Sequence, residues 1–433
     1  MTPTAGYTEM KESGVHWMGR IPKHWGIQKA KFHFSQTNNR GNNTLILLAA
    51  SQKYGVCPQS WLEGVVQVSE NTDLQQFKTV HKNDFVISLR SFQGGFERSD
   101  FEGVCSPAYQ VFHADASFDN NFLKYLFKNE LFIDEMNSLT VGIREGRNIK
   151  YDDFANSLIF VPPLDEQSTI AAYLDTRCAK IDEIIAEAKA SIEDYKQWKA
   201  SIIYEAVTKG LDTNVEMKDS GIEWIGEIPA HWTSIPLKAV TSKIGSGKTP
   251  AGGAETYQET GVLFLRSQNI YNTGLKLAGA FCISEDIDAE MANTRVRLND
   301  VLLNITGGSI GRCCLFDLPD TAANVNQHVC IIRATDAVIP QFIRYFWNST
   351  AGPMVIEQYQ TGSNRQGLNF EQIGATRIPF CSKEEQHSII RYLDHITNII
   401  EDLISEKELL IADLETYKKA LVYEVVTGKR RVC

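Results

Sequence analysis

The chain has 433 residues, of which 43% are hydrophobic and 22% charged, a composition typical of a globular protein with two or three domains. No apolar run reaches the roughly 20 residues that span a bilayer, and residues 1–6 lack the basic and apolar regions of a signal peptide, so we expect a cytoplasmic protein. The net charge of −10 makes nucleic acid a less expected partner, although basic loops can persist locally in an acidic chain.

Two internal repeats organise the chain. Residues 11–25 return as residues 218–232, and residues 166–208 align without a gap on residues 385–427. A period this long indicates two copies of one structural unit. The tryptophans of the shorter repeat are Trp17, Trp25, Trp224 and Trp232. We expect these side chains to pack on the long helices rather than to stack on bases.

The first globular block covers residues 26–160 and, with the segment before it, makes a predicted N-terminal domain of residues 1–160. Short β-type runs such as residues 85–89 alternate with turns rich in Gly, Asn, Asp and Pro. A helical stretch is predicted over residues 121–136. This mixture predicts a compact α/β domain.

Two long helices, within residues 161–210 and 381–433, are predicted from apolar residues at alternating steps of three and four. These positions are Leu174, Ile181, Ile184, Ala188, Tyr195, Trp198 and Ile202 in the first helix and Leu393, Ile396, Ile400, Leu403, Leu410, Leu414, Tyr417 and Leu421 in the second. The signals at the helix ends are Pro162-Pro163, the capping box Ser382-x-x-Glu385, and the stops Gly210 and Gly428. Two matched apolar stripes bury each other most simply as an antiparallel coiled coil; the alternative packs each helix on its own domain.

The second block, residues 233–380, has the same character as the first and belongs to a predicted domain of residues 211–380. It contains a β-type run at residues 301–305 and a helical stretch at 340–348. The whole chain is therefore predicted to have an α+β fold, with mixed α/β globular domains separated by two long antiparallel coiled-coil helices in a pseudo-two-fold arrangement.

The sequence lacks the common catalytic motifs. Residues 245–249 read Gly-Ser-Gly-Lys-Thr, but Ser242 stands where a phosphate-binding loop needs its first glycine, and Pro250 follows at once. The nine cysteines form no Cys-x-x-Cys pair, which argues against a metal site and favours buried thiols. The sequence therefore predicts a non-catalytic protein without a cofactor.

Polar loops that follow predicted strands suit DNA recognition instead. Arg pairs with guanine O6 and N7, and Asn or Gln with adenine N6 and N7, through two hydrogen bonds in the major groove. Gly and Ser let backbone N–H groups approach phosphate. The candidate DNA-binding residues are Arg90, Ser91, Gln93, Arg144, Arg147 and Asn148 in the first block and Lys248, Thr249, Arg266, Ser267, Asn269, Thr306, Ser309, Asn326, Gln327, His328, Asn364, Arg365 and Gln366 in the second.

These motifs together resemble the specificity (S) subunit of type I DNA restriction-modification systems. The segments that carry the resemblance are residues 13–25, 245–250, 261–267, 300–307, 326–328 and 362–369, with the Glu-Gln…Tyr-Leu-Asp starts of both long helices. They extend over essentially the whole chain. The first block lacks a counterpart of Gly-Ser-Gly-Lys-Thr-Pro, so contacts in one domain cannot be projected onto the other.

The resemblance implies two target recognition domains, each of which reads one half of a split, asymmetric site on double-stranded DNA. It also implies that the long helices form a spacer that docks two methyltransferase (M) subunits, with restriction (R) subunits completing the complex. S-adenosylmethionine, ATP and Mg²⁺ are then expected on these partners, and no cofactor on this chain.

A stiff helix pair would act as a ruler that holds the two readers about one DNA turn apart, so an insertion in residues 175–205 should lengthen the gap between the half-sites. Because the chain is acidic, we expect it to bind DNA weakly without its partners. The rival readings are a fused nuclease or methyltransferase with cryptic motifs, and a coiled-coil scaffold with no DNA role.

Overall fold

A computed structural model of the chain describes residues 6–41, 45–62, 74–88, 96–139, 149–360 and 367–432. The chain forms two compact units. The first unit contains Met1–Ala188 and Leu409–Cys433, and the second contains Lys189–Glu408. Each unit therefore combines one globular block with a part of both long helices.

In its described residues, the first unit is built from short strands and three short α-helices that precede a long one. Its strands are β1 (Met10–Glu12), β2 (Arg20–Pro22), β3 (Gly26–Lys29), β4 (Phe34–Thr37), β5 (Leu48–Ser51), β6 (Gly55–Pro58), β7 (Lys78–Val80), β8 (Phe85–Ile87), β9 (Phe96–Arg98), β10 (Gly103–Cys105), β11 (Gln110–Ala114) and β12 (Leu158–Val161). Its helices are α1 (Asn120–Leu126), α2 (Glu130–Ser138), α3 (Tyr151–Asn156) and the start of α4 (Leu164–Lys209). The predicted helix over 121–136 is thus two helices, because the Asn129 side chain accepts a hydrogen bond from the Leu131 N–H and caps α2.

The second unit repeats this plan with additional strands. Its strands are β13 (Met217–Asp219), β14 (Glu227–Pro229), β15 (Thr233–Pro236), β16 (Thr241–Ser246), β17 (Val262–Leu265), β18 (Ile270–Tyr271), β19 (Gly274–Leu275), β20 (Phe281–Ile283), β21 (Val301–Asn304), β22 (Cys313–Leu315), β23 (Ala323–Val325), β24 (Val329–Ala334) and β25 (Arg377–Phe380). Its helices are α5 (Glu285–Glu290), α6 (Pro340–Asn348), α7 (Ala351–Tyr359), α8 (Phe370–Ala375) and the start of α9 (Lys383–Val426).

The same four-stranded antiparallel sheet lies at the centre of both units. Its strand order is β4-β11-β8-β9 in the first unit and β16-β24-β21-β22 in the second. The turn into the third strand is also the same, since Asn83 and Asn299 both have a positive φ (72° and 67°). In each case the next residue, Asp84 or Asp300, accepts a hydrogen bond from a backbone N–H three residues earlier. The two globular blocks therefore share one fold at their centre.

Both long helices start and end at the predicted signals. In the capping box of α9, the Glu385 N–H donates to Ser382 Oγ (3.2 Å) and the Ser382 N–H donates to Glu385 Oε2 (3.3 Å). Gly210 and Gly428 follow α4 and α9 with φ of +75° and +69°, a conformation that glycine adopts without a Cβ penalty.

The two long helices run antiparallel. In the first unit Lys418 of α9 pairs with Asp182 of α4 (2.6 Å), and in the second unit Lys199 of α4 pairs with Glu401 of α9. The early part of each helix thus meets the late part of the other. The helix-pair prediction is confirmed, although the seam differs in register: Ile185 and Ile192 are buried, whereas Ile184 and Trp198 are 36% and 49% exposed.

The repeated segments clamp the helix ends, as expected for the tryptophans. Trp25 donates to Glu166 Oε2 (3.0 Å) at the start of α4, and Trp232 donates to Glu385 Oε1 (2.9 Å) at the start of α9. All four tryptophans of the repeat are buried. Trp17 packs on Phe132 and Phe160 in the block itself.

The clamp predicts an acid-sensitive fold. Burial by itself raises the pKa of Glu385, but hydrogen bonds from His231, Trp232 and Ser382 lower it below its usual value of 4.5. A lowered folded-state pKa gives stability that is present above pH 4.5 and is lost as the pH falls through the folded value. Because the Glu385 side chain is 37% exposed, solvent weakens these contacts, and we expect Glu385→Gln to cost roughly 1 kcal/mol at pH 7. The substitution should also flatten the acid side of the stability curve, measured by thermal unfolding from pH 3 to 7.

The control for this experiment is Glu259→Gln, which removes an exposed carboxylate from the same unit. The control should keep the wild-type acid limb. Identical pH curves for the two variants would contradict the role given to the clamp.

The cysteines of the described residues are free thiols, and all of them except Cys282 are buried. Burial raises the pKa of Cys105, Cys314 and Cys330 to about 12, so these thiols stay protonated and unreactive near neutral pH. Within the described residues, neither the long helices nor the short ones carry an apolar stretch that could cross a membrane.

Candidate functional site

The carboxyl ends of four strands meet at one edge of the second unit. Strands β16 and β21 run parallel, because each pairs antiparallel with β24, and β17 pairs parallel with β23. Backbone hydrogen bonds from Gly247 to Asn326 (3.1 Å), from Asn326 to Leu265 (3.0 Å) and from Ile305 to His328 (3.0 Å) join the four ends. We call residues 247–249, 266–269, 306–309 and 326–328 the strand-end site.

All ten predicted residues of the second block that the structure describes lie in the strand-end site. They come from segments up to 80 residues apart in sequence, and only the sheet topology unites them. They are Lys248, Thr249, Arg266, Ser267, Asn269, Thr306, Ser309, Asn326, Gln327 and His328.

A chain of side-chain hydrogen bonds connects three loops of the site. Thr249 Oγ1 donates to Gln327 Oε1 (2.5 Å), and Gln327 Nε2 donates to His328 Nε2 (3.1 Å). Nδ1 of the same imidazole then donates to Thr306 Oγ1 (2.6 Å). This pattern assigns the neutral Nδ1–H tautomer to His328. It leaves Gln327, which is exposed, with one amide N–H and one oxygen lone pair for a ligand. The Thr306 hydroxyl, which accepts from His328, keeps its own hydrogen to donate.

Asn304 is fully buried at the end of β21. It links the loop of residues 266–269 to the loop of residues 306–309. Its Nδ2 donates to the Ser267 carbonyl (2.8 Å) and to Ser309 Oγ (3.1 Å). Sequence reasoning missed this residue, since Asn304 reads as part of an apolar β run. Its role depends on the hydrogen bond to the Ser267 carbonyl, and Ser267 lies 37 residues earlier in the sequence.

Two predicted asparagines support the loops with their amides. Asn269 is buried; its Oδ1 accepts from the Arg266 N–H (3.0 Å) and its Nδ2 donates to the Lys276 carbonyl (2.9 Å). Asn326 Oδ1 accepts from the His328 N–H (3.1 Å). These side chains hold in place the backbone that presents Arg266 and His328.

Gly247 allows the loops to come this close. A Cβ on this residue would lie 1.5 Å from the Val325 carbonyl oxygen, a distance at which no side chain fits. The close approach brings Thr249 next to Gln327. Lys248 is exposed beside them, and its Nζ donates to the Glu290 carbonyl (3.0 Å).

Arg266 has a guanidinium group that aromatic rings hold in place. Its Cζ lies 4.7 Å from the Phe281 ring centroid and 5.3 Å from that of Tyr257, and the two rings stack on each other at 5.5 Å. Among the described residues no carboxylate pairs with Arg266, and its Nε has no hydrogen-bond partner. Other arginines of the unit are paired, for example Arg333 with Asp300 (2.7 Å). The guanidinium is thus pre-oriented with donors left for a ligand.

The other nine predicted residues lie outside the described residues. They are Arg90, Ser91, Gln93, Arg144, Arg147, Asn148, Asn364, Arg365 and Gln366. In the part of the chain that the structure does describe, no group of His, Cys, Asp and Glu side chains could hold a metal ion.

Exposed apolar side chains line both long helices. In the first unit they are Leu164, Ile184, Leu409, Leu410 and Tyr417, and in the second Trp198, Tyr392 and Ile399.

Comparison with known proteins gives one consistent family. Residues 27–194 and 229–411 match the profile described as the type I restriction modification DNA specificity domain. The specificity subunit of the Escherichia coli type I restriction enzyme EcoBI is 23% identical over 63% of this chain and 58% of its own length. The EcoKI specificity subunit of E. coli K12 is 20% identical over 76% of this chain and 68% of its own length.

Solved structures show the same fold. A chain from a study of complex assembly and conformational transition in the type I R-M system aligns over 94% of this chain and 98% of its own length, with a TM-score of 0.73 and 16% identity. The HsdS subunit from Thermoanaerobacter tengcongensis aligns over 96% and 99% of the two chains, with a TM-score of 0.52 and 17% identity.

Proposed function

The chain belongs to the family of type I restriction modification DNA specificity domains, and from this membership we propose that it is the non-catalytic subunit that gives a type I restriction-modification complex its DNA sequence specificity. The two copies of the fold correspond to two readers. Each reader recognises one half of a bipartite, asymmetric site on double-stranded DNA.

The observation that supports this proposal best is the strand-end site. It presents an exposed Gln327 amide, a partly exposed Thr306 and the ring-held Arg266 guanidinium on one edge. These are the groups that pair with adenine and guanine edges in the major groove. Hydrogen bonds among the loops fix the orientation of these groups before DNA arrives, which reduces the ordering that binding requires.

The partners of the proposed subunit are two methyltransferase (M) subunits and the restriction (R) subunits. The exposed apolar side chains on the long helices support docking of a protein there, because they would be buried in an assembly. S-adenosylmethionine, ATP and Mg²⁺ would be bound by these partners, which supply methylation and cleavage.

Exchange of the first block tests whether the two readers are independent. Residues 26–160 would be replaced by the corresponding block of another family member and the chain expressed with its partner subunits. We expect one half of the methylated sequence to change and the other half to stay, because base discrimination of about 1–3 kcal/mol per contact is carried by each block alone. Single-molecule methylation sequencing of the host DNA reads both halves at once.

The matched exchange of residues 233–380 should change the opposite half. If either exchange altered both halves, the readers would not be independent. Methylation by the purified chain without partners would overturn the non-catalytic assignment.

A further inference from the structure

A second group of cations lies beside the strand-end site and was not among the residues predicted from sequence. Lys276 Nζ lies 4.2 Å from the centroid of the Tyr271 ring, and Arg312 Cζ lies 4.7 Å from the same centroid. The two charges are therefore within about 9 Å of each other, a distance over which salt at physiological strength screens repulsion only partly. Two cations this close to each other repel, and a bound anion would stabilise them.

No protein anion of the described residues fills this role. Neither Lys276 nor Arg312 forms an ion pair with a described carboxylate, whereas Arg295 in the same unit pairs with Asp288 (2.6 Å). The chain carries ten more acidic than basic charges overall. Within the part of the chain that the structure describes, Tyr271 is the ring that two cations without a carboxylate partner share.

The backbone of both cations is fixed to the strand-end site. The Lys276 N–H donates to the Asn269 carbonyl (2.9 Å), and Asn269 Nδ2 donates to the Lys276 carbonyl (2.9 Å). The Arg312 N–H donates to the Ser309 carbonyl (3.2 Å), and the Arg312 carbonyl accepts from the Asn304 N–H (2.9 Å). The cation pair thus borders the loops that carry Ser267 and Ser309.

We propose that Lys276 and Arg312, held by the Tyr271 ring, bind a backbone phosphate of the DNA strand that borders the half-site read by the second unit. The proposal rests on the proposed function and adds the contact that sets the register of the reader. Arg offers a planar fork of donors that fits a phosphate, and Lys adds a point charge. A phosphate would relieve the repulsion between the two cations. It would carry no sequence information, since phosphate contacts position a protein and base contacts specify the sequence.

The salt dependence of DNA binding tests this contact. The full chain, assembled with its methyltransferase subunits, would be titrated with a duplex containing its site at several salt concentrations, as wild type and as the double variant Lys276→Ala/Arg312→Ala. Each phosphate contact contributes about 0.9 to the slope of log K against log salt. We expect the slope of the double variant to be shallower by about 1, because one phosphate contact is lost. Binding at low salt should fall about tenfold or more, and the methylated sequence should stay the same.

Two further variants serve as controls. Lys276→Arg/Arg312→Lys keeps both charges and should retain the wild-type slope. Arg297→Ala removes an exposed charge before the opposite end of β21 and should also leave the slope unchanged. Thermal unfolding of each variant checks that the second unit still folds.

Several outcomes would overturn the proposal. An unchanged slope would show that no phosphate is bound, and a changed base preference would show a base contact instead. Failed assembly with the methyltransferase subunits would assign the cations to an acidic surface of that partner. If the wild-type complex bound DNA without regard to sequence, the proposed function itself would be wrong. That outcome is distinguishable from the loss of the phosphate contact, because it appears in the complex without any substitution.

Discussion

A Gly247→Ala substitution is expected to lower the stability of the second unit by about 3 kcal/mol or more and to abolish recognition of its half-site. The added methyl group would stand 1.5 Å from the Val325 carbonyl oxygen, so the strand end that carries Thr249 must move away from the one that carries Gln327. The Gly247–Asn326 backbone hydrogen bond and the Thr249–Gln327 contact would then be lost. Thermal unfolding of the chain and DNA binding by the assembled complex measure the two effects.

The matched control is Gly245→Ala, two residues earlier in β16. Nothing lies within 4 Å of a Cβ at that position, so the control should keep wild-type stability and binding. Equal behaviour of the two variants would mean that the close approach at Gly247 does not hold the strand-end site together.

Arg266→Ala is expected to relax the base preference at one position of the half-site by about 1–3 kcal/mol, which is roughly a 5- to 150-fold loss of discrimination. The Phe281 and Tyr257 rings hold the guanidinium, and its donors have no carboxylate partner among the described residues. Guanine O6 and N7 fit such a fork. Arg266→Lys should restore the preference only in part, since an ammonium group lacks the rigid planar fork of donors that the two rings hold in place.

The measurement is competition between duplexes that differ from the preferred site by one base pair at a time. Arg297→Ala is again the control for the loss of one positive charge, and it should leave every preference unchanged. A loss of affinity that is equal for all duplexes would place Arg266 on a phosphate rather than on a base.

The long helices were predictable because their signals are local. The capping box at Ser382 and the glycines at 210 and 428 depend only on neighbouring residues. The residues buried in the seam between the two helices were less predictable. A helix turns about 100° per residue, so a neighbouring position faces a different direction. Ile185 lies about 20° from Leu174 around the helix, whereas Ile184 lies about 80° away, at the border of the buried face. Both residues are isoleucine, so hydrophobicity alone could not choose between them.

The strand-end site was predictable only in part. Polar loops after apolar runs pointed to Thr249, Arg266 and Gln327, and the sheet brings all three loops to one edge. The pairing of β17 with β23 joins segments about 60 residues apart, and no local pattern encodes it. For the same reason the rings around Arg266 and the cations around Tyr271 went unrecognised: Phe281 and Arg312 reach them through strand pairing and not through sequence spacing.

The two clamps differ in how far apart in sequence their contacting residues lie. In the second unit, Tyr204 near the end of α4 donates to the Ile225 carbonyl, only 21 residues away. In the first unit, Lys429 just after α9 donates to the Met18 carbonyl across 411 residues. In each unit, the end of a long helix therefore contacts the repeated segment, whether or not the two are close in sequence. The first unit makes its contact without the short linker that residues 211–216 provide in the second unit, so we expect a chain that is opened within this linker still to fold.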